Sequence, residues 1–313
     1  MSRKLLVGLL VLALVLSAAG AWAQGAGLTA RYSAMGGAGL ALANDAGALG
    51  LNPAGLGMQS LSYLGNPSGW GAPVAPPVGP GYRSYSQIAV TDRLSDGGAD
   101  NGLDYAGVNN TAWGWGLSYH HQDFADARSD DLAAGVSYDL KYNLSLGLAW
   151  HNEFSRAGDS SDSSNVFDAG AIWRCPCRYS PRVALTFDGM GADSKLITNV
   201  GVALPYNASG GLLLDWDDVF CEYNGHLNIG TEYWLGARQN WAVRAGLANL
   251  DADHGNALWT AGAGYRSQAW QFDFSWMQAP DESSAPVDET RAAALSSATN
   301  DNDTLKCTLS FGF

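Results

Sequence analysis

Eight ionisable side chains of this 313-residue chain stand where the neighbouring residues alternate between apolar and polar. They are His120, Asp139, His151, Arg182, Glu232, Arg244, Asp273 and Lys306. Each lies on the polar side of the alternation, so we expect it to face an interior. Arg182, Arg244 and Lys306 have the charge to bind an anionic head group, with apolar side chains around its tail. Alternatively they pair with Glu232, Asp139 and Asp273 inside a packed interior, which is the interpretation that we favour.

The remaining reactive residues do not form a recognisable catalytic set. The five histidines are His120, His121, His151, His226 and His254. No G-x-S-x-G motif accompanies them, and no strand register joins a serine and a histidine to an orienting carboxylate. We therefore predict that the chain is not an enzyme and that it binds neither a cofactor nor a metal.

Two of the four cysteines stand one residue apart, in Cys175-Pro176-Cys177. This spacing is one residue short of a C-x-x-C motif, and no second pair follows at zinc spacing. In an oxidising compartment the two thiols could be bridged through a tight ring. A rigid turn that carries two incidental thiols is the other interpretation, and the sequence leaves both open.

The element that positions the ionisable side chains is an amphipathic strand with a repeat of two residues. In residues 144–151, Leu and Trp side chains alternate with Ser145, Gly147, Ala149 and His151. One face suits lipid and the other is small or polar, as a membrane barrel requires. The fourteen segments with this pattern are 83–90, 103–108, 111–121, 130–140, 142–152, 165–173, 180–187, 195–204, 209–218, 225–235, 240–250, 257–266, 268–278 and 304–313. Residues 61–65 are an alternative first strand.

The connections between these segments support a barrel. Those expected on the periplasmic side are short, and most of those on the other side are longer, among them 122–129 and 153–164. An even number of strands places both ends of the barrel in the periplasm. The last strand ends on Phe313, which is typical of the signal that the barrel assembly machinery recognises. The fold class predicted is all-β: a 14-stranded antiparallel transmembrane β-barrel.

Composition and charge agree with an exported barrel. The chain has 39 Gly, 12 Trp and 13 Tyr residues and only 15% charged residues, and the inward positions are mostly Gly, Ala and Ser, which leaves room for a ligand. A net charge of −13 argues against nucleic acid as a partner. Arg3 and Lys4, the apolar run that follows and an A-x-A site predict a signal peptide over 1–23, cleaved after Ala23.

The segment between the signal peptide and the first strand carries a family resemblance. Its motifs are Arg31, Met35-Gly36-Gly37-Ala38, Ala43-Asn44-Asp45-Ala46 and Asn52-Pro53-Ala54-Gly55-Leu56. Together they resemble the N-terminal signature of the FadL-like outer-membrane barrels, and residues 226–248 look more like the PorV-type branch. The resemblance implies that residues 24–58 are a plug or hatch, with Asn44, Asp45, Asn52 and Pro53 as its key residues, and that 59–313 form the barrel.

The resemblance also implies a function. FadL-like barrels take up hydrophobic small molecules such as fatty acids, so the lumen residues Arg182, Glu232, Arg244, His120, His151, Asp273 and Lys306 would bind the substrate. The alternative is a PorV-type barrel that holds exported proteins as a secretion or assembly adaptor. The partners expected are outer-membrane lipid, a hydrophobic small molecule and the assembly machinery, with exported proteins in the alternative.

Overall fold

The computed structural model describes residues 28–58, 70, 85–94, 99–108, 112–124, 127–140, 143–157, 160–177, 180–191, 196–220, 225–236, 238–250, 257–267, 270–278 and 304–312. The signal peptide predicted over 1–23, the alternative first strand at 61–65 and the terminal Phe313 lie outside the described residues. Among the helices that are described, none is long and apolar enough to cross a membrane.

Fourteen antiparallel strands form one closed barrel in which each strand pairs with its neighbours in the chain and β1 pairs with β14. The predicted fold class is confirmed. The strands are β1 (Tyr85–Arg93), β2 (Ala99–Val108), β3 (Trp113–Phe124), β4 (Ala127–Leu140), β5 (Leu144–Ala157), β6 (Ser160–Arg174), β7 (Arg182–Met190), β8 (Ile197–Asn207), β9 (Gly210–Asp217), β10 (His226–Leu235), β11 (Trp241–Leu250), β12 (Leu258–Arg266), β13 (Trp270–Met277) and β14 (Thr304–Gly312).

Strands β3 to β6 are longer than the sequence predicts. The expected loops over 122–129 and 153–164 are largely strand, because the main-chain ladder continues through both ranges, with pairs such as Ser155 opposite Asp162. Those loop predictions are wrong. A ladder needs only main-chain hydrogen bonds, so Ser- and Asp-rich sequence forms strand where both faces meet water and no apolar alternation marks it.

The outward face of the barrel is apolar. Leu148, Trp259 and Leu117 are each more than half exposed, while the inward residues between them are buried. A contiguous apolar surface of this kind faces lipid in a membrane barrel. Aromatic pairs such as Trp113–Tyr138, with ring centroids 4.8 Å apart, lie at the end where β3 begins and β4 ends.

The same end carries further aromatic contacts, between Trp241 and Tyr265 and between Tyr265 and Trp270. Together these rings form a girdle at one membrane interface. Both ends of the barrel chain, the start of β1 and the end of β14, lie at this edge. It is the edge that the even number of strands predicts to be periplasmic, and we call it the periplasmic edge.

The interior is occupied by residues 28–58, hereafter the inner segment. It contains one helical turn, Ala30–Ser33, and two 3₁₀ turns, Ala46–Gly50 and Pro53–Met58. Nearly every side chain in the inner segment is buried, and its turns contact strands on both sides of the barrel. The principal hydrophobic core of the protein therefore lies between this segment and the inward face of the wall.

Candidate functional site

The centre of the site is the carboxylate of Glu232, which projects inward from β10 and is completely buried. Arg31 of the inner segment donates two hydrogen bonds to it, from Nη2 to Oε1 at 2.8 Å and from Nε to Oε2 at 2.9 Å. Arg244 of β11 donates from Nε to Oε2 at 2.8 Å, and the Trp70 indole donates to Oε1 at 2.8 Å. We call these four residues the Glu232 cluster.

Two further carboxylates balance the two guanidinium groups of the cluster. Arg244 forms a second ion pair, in which its Nη1 lies 2.8 Å from Oδ1 of Asp273 on β13. Arg31 donates from Nη1 to Asn44 Oδ1 at 2.8 Å and to Asp45 Oδ2 at 3.1 Å. Paired and hydrogen-bonded charges of this kind tolerate burial that an isolated charge does not.

Burial and charge act in opposite directions on the Arg31 guanidinium. Burial disfavours its charged form, but the nearby carboxylate of Glu232 and then that of Asp45 hold the pKa of Arg31 well above its ordinary value. Arg31 therefore stays charged at every accessible pH. Burial raises the pKa of the Asp45 carboxyl, against the opposing effect of Arg31.

Asp215 of β9 fixes a second point of the inner segment. Its Oδ2 accepts the main-chain N–H groups of Gly39 and Leu40, at 2.5 and 2.8 Å. A buried carboxylate that accepts two main-chain donors satisfies groups that would otherwise be unpaired inside the barrel. Asp215 and the Glu232 cluster therefore attach different parts of the same segment to the wall.

Three uncharged wall side chains add contacts with the main chain of the inner segment. Thr308 Oγ1 accepts the N–H of Ala30 at 2.8 Å, and Gln87 Oε1 accepts the N–H of Ala46 at 3.0 Å. Ser145 Oγ donates to the carbonyl of Ala54 at 2.7 Å. These three wall residues lie on β14, β1 and β5, so the segment is held from several directions.

Glycines of the wall let the inner segment approach closely. A Cβ on Gly246 would lie 2.3 Å from the carbonyl carbon of Met35, and a Cβ on Gly147 would lie 2.2 Å from that of Pro53. Gly170 approaches the side-chain amide of Asn52 just as closely. At these positions the small inward residues therefore make room for the inner segment, whereas the sequence suggested room for a ligand.

The plug residues that the resemblance implies lie at these contacts. Asn44 and Asp45 accept hydrogen bonds from Arg31. Asn52 is fully buried; its amide donates to the carbonyl of Leu40 at 3.2 Å, and its Oδ1 accepts the N–H of Ala54 at 3.0 Å. Pro53 begins the second 3₁₀ turn, where its missing N–H costs no hydrogen bond.

A separate set of histidines and aspartates lines the wall further from the periplasmic edge. His120 Nε2 lies 3.0 Å from Asp104 Oδ1. His151 lies between two carboxylates, with Nδ1 3.0 Å from Asp131 Oδ2 and Nε2 3.1 Å from Asp168 Oδ2. On β5 and β6 these residues lie beyond the glycines that contact the inner segment, so this part of the wall presents carboxylates and histidines.

The residues predicted to bind substrate all face inward, but they do not form one site. Glu232, Arg244 and Asp273 belong to one ion-pair network. Arg182 stands opposite Arg174 at the periplasmic end of the β6–β7 pair, and Lys306 stands opposite Arg93 near the other edge. The three cations that could share one anionic head group are therefore in three different places.

The alternative of internal pairing describes Arg244 well, because it pairs with both Glu232 and Asp273. Asp139 pairs with Arg174, a residue that was not predicted to take part, and not with one of the three predicted cations.

Cys175, Cys177 and Cys307 are not in disulfide bonds.

Asp215 and the role of Arg31 as a site residue were not predicted from the sequence. Asp215 has a visible signal, since it is a carboxylate on the inward side of the apolar strand Gly210–Asp217. Arg31 is part of the family motif, but its contact with Glu232 crosses 201 positions of the chain. No local pattern predicts such a contact.

A closed barrel with a lipid-facing exterior and its own N-terminal segment attached inside defines the class: an outer-membrane β-barrel with an occupied lumen. The chain has the fold of the FadL-like outer-membrane barrels. A FadL homologue of Pseudomonas aeruginosa is 13% identical with a TM-score of 0.54, and the match covers 94% of this chain and 98% of that chain. The CymD monoaromatic hydrocarbon channel is also 13% identical, with a TM-score of 0.57 and coverage of 91% and 96%. No protein-family model and no curated protein sequence matches the chain.

Proposed function

We propose that this protein is an outer-membrane channel for small hydrophobic molecules, in which the inner segment acts as a displaceable plug. The observation that carries the proposal is the attachment of the segment through the Glu232 cluster. Arg31 is held there by hydrogen bonds and ion pairs, which can exchange for other partners without breaking a covalent bond. Contacts of this kind allow the segment to shift within the lumen and return.

The fold supports the substrate class, since it is shared with a FadL homologue and with a monoaromatic hydrocarbon channel. The charge of the lumen favours a neutral molecule within this class. Three carboxylates, those of Asp104, Asp131 and Asp168, project from the described wall beyond the inner segment, where they share two histidines, His120 and His151. With more carboxylates than histidines, this part of the wall opposes the entry of a fatty-acid anion more than that of a neutral hydrocarbon.

A reversible cross-link between segment and wall tests the proposal. Ala30→Cys and Thr308→Cys join positions whose main-chain N and side-chain Oγ1 are 2.8 Å apart. The four native cysteines are replaced by serine. Uptake of toluene and of decanoate is measured in cells and in proteoliposomes, with each single-cysteine variant as a matched control.

We expect toluene uptake to fall to the level of empty vesicles when the cross-link is oxidised and to recover on reduction, and decanoate to enter more slowly than toluene. Equal uptake in the oxidised and reduced states would show that the segment need not move. Absence of uptake of both probes by the reduced barrel would contradict a hydrophobic channel. Co-purification of an exported protein in fixed stoichiometry would then favour the PorV-type alternative.

A further inference from the structure

The turn between β6 and β7 carries Cys175 and Cys177 with one proline between them. It follows directly on Arg174, the last residue of β6, at the periplasmic edge of the barrel. The proposed channel function does not use this turn. The periplasm is an oxidising compartment, in which exposed thiol pairs meet disulfide donors.

The turn brings the two thiols together and holds them there. The Cys175 N–H donates to the carbonyl of Pro181 at 2.8 Å, and the Ser180 N–H donates to the carbonyl of Cys177 at 3.0 Å. The side chains of Cys175 and Cys177 hydrogen-bond to each other. Cys177 is exposed and Cys175 is half-buried, so the Cys177 sulfur is more accessible to a reaction partner than the Cys175 sulfur.

The surroundings assign different roles to the two sulfurs. Their shared hydrogen bond raises the pKa of the Cys175 thiol, while the Cys177 sulfur is exposed to a reaction partner. Attack on a disulfide needs both a thiolate and access, and Cys177 is the more accessible of the two sulfurs.

We propose that Cys175 and Cys177 form a reversible dithiol–disulfide pair that exchanges with protein or low-molecular-weight disulfides in the periplasm. The Cys177 thiolate attacks a sulfur of the donor disulfide, forms a mixed disulfide and releases one donor thiol. The Cys175 thiolate then attacks the Cys177 sulfur, closes the intramolecular disulfide and releases the second donor thiol. Two electrons and two protons pass in total from the pair to the donor.

The geometry favours reversibility over a structural bridge. The disulfide closes a ring over a single residue, and Pro176 restricts the main chain within it. A strained and accessible disulfide has a more oxidising potential than a structural one, so thiols reduce it readily. Cys307, by contrast, lies within strand β14, where its cross-strand neighbours are Asp92 and Phe274 and not cysteines.

Glutathione buffers test the proposal on the full-length barrel in detergent. The protein is equilibrated at increasing ratios of oxidised to reduced glutathione, quenched with acid and alkylated. After digestion, the masses of the peptides are measured by mass spectrometry. We expect the peptide with Cys175 and Cys177 to lose two hydrogen atoms and both alkyl groups together at an intermediate ratio. In Cys175→Ser the remaining thiol should form a stable glutathione adduct, whereas Cys307→Ser should leave the transition unchanged.

Two results would overturn the proposal. One is full alkylation of both thiols in the most oxidising buffer. The other is a Cys175–Cys177 bridge that survives the most reducing buffer, which would make it structural. Neither result depends on channel activity, so the test is independent of the proposed function.

Discussion

Arg31 and Glu232 face each other at two points: Nη2 lies 2.8 Å from Oε1, and Nε lies 2.9 Å from Oε2. The pair joins the inner segment to β10, and both side chains are buried. This two-point geometry is specific to arginine, since a lysine offers a single nitrogen. The contact is therefore a sensitive place to probe how firmly the segment is attached.

Replacement of Arg31 by methionine should destabilise the attached state by about 3–5 kcal/mol, because Glu232 remains buried with one guanidinium partner fewer. Arg31→Lys should have a smaller effect. Urea unfolding and protease cleavage within residues 28–58 measure the change. Arg128→Met is the control, since Arg128 is exposed and pairs with Asp130 outside the lumen, and such pairs contribute about 0–1 kcal/mol. Equal effects of the two methionine variants would contradict the importance of the Glu232 cluster.

Gly246→Ala should push the inner segment away from β11, because the new Cβ would lie 2.3 Å from a main-chain atom of Met35. Overpacking of this kind costs about 1–3 kcal/mol. Gly107→Ala is the matched control: its Cβ would meet the indole ring of Trp115, an exposed side chain, and not the inner segment. The thermal unfolding midpoint should fall for Gly246→Ala and change little for Gly107→Ala. The reverse order would mean that the segment does not lie against β11.

Asp215→Ala should leave the buried N–H groups of Gly39 and Leu40 without their acceptor, at a cost of about 1–3 kcal/mol for each unsatisfied group. Hydrogen exchange at these two amides should become much faster. Asp217→Ala is the control, because Asp217 accepts from Asn228 and not from the inner segment. Unchanged protection of the two amides in Asp215→Ala would show that another group holds this part of the segment.

Asp45 should make attachment of the segment pH-dependent. Burial raises its pKa in the folded protein, so the neutral carboxyl is favoured there more than in the unfolded chain. Its stabilising contribution is complete below the ordinary pKa of an aspartate and is lost as the pH rises through the raised value. The stability of the wild type relative to Asp45→Asn should therefore decrease as the pH rises above about 3.9, the ordinary pKa of an aspartate. A difference that is constant with pH, or that grows, would contradict this sign.

Much of the barrel is readable from local sequence. In β5, Leu146 and Leu148 alternate with Gly147 and Ala149 and predict both the strand and its two faces. The inward direction of His120 and His151 follows from the same repeat and is confirmed, because both are buried. The polar ends of β5 and β6 were not predictable in this way, since hydrogen bonding of the main chain continues there without an apolar face.

The number of strands, the lipid-facing side of each strand and the inward direction of the charges can be read from the sequence alone. Each of these follows from a repeat of two residues and from the cost of placing a charge in lipid. The partners of those charges, in contrast, depend on the three-dimensional fold. Arg31 reaches Glu232, and Asp215 reaches Gly39, because closure of the barrel sets which inward side chains share the same depth and direction. That geometry is a property of all fourteen strands together, so no single stretch of sequence contains it.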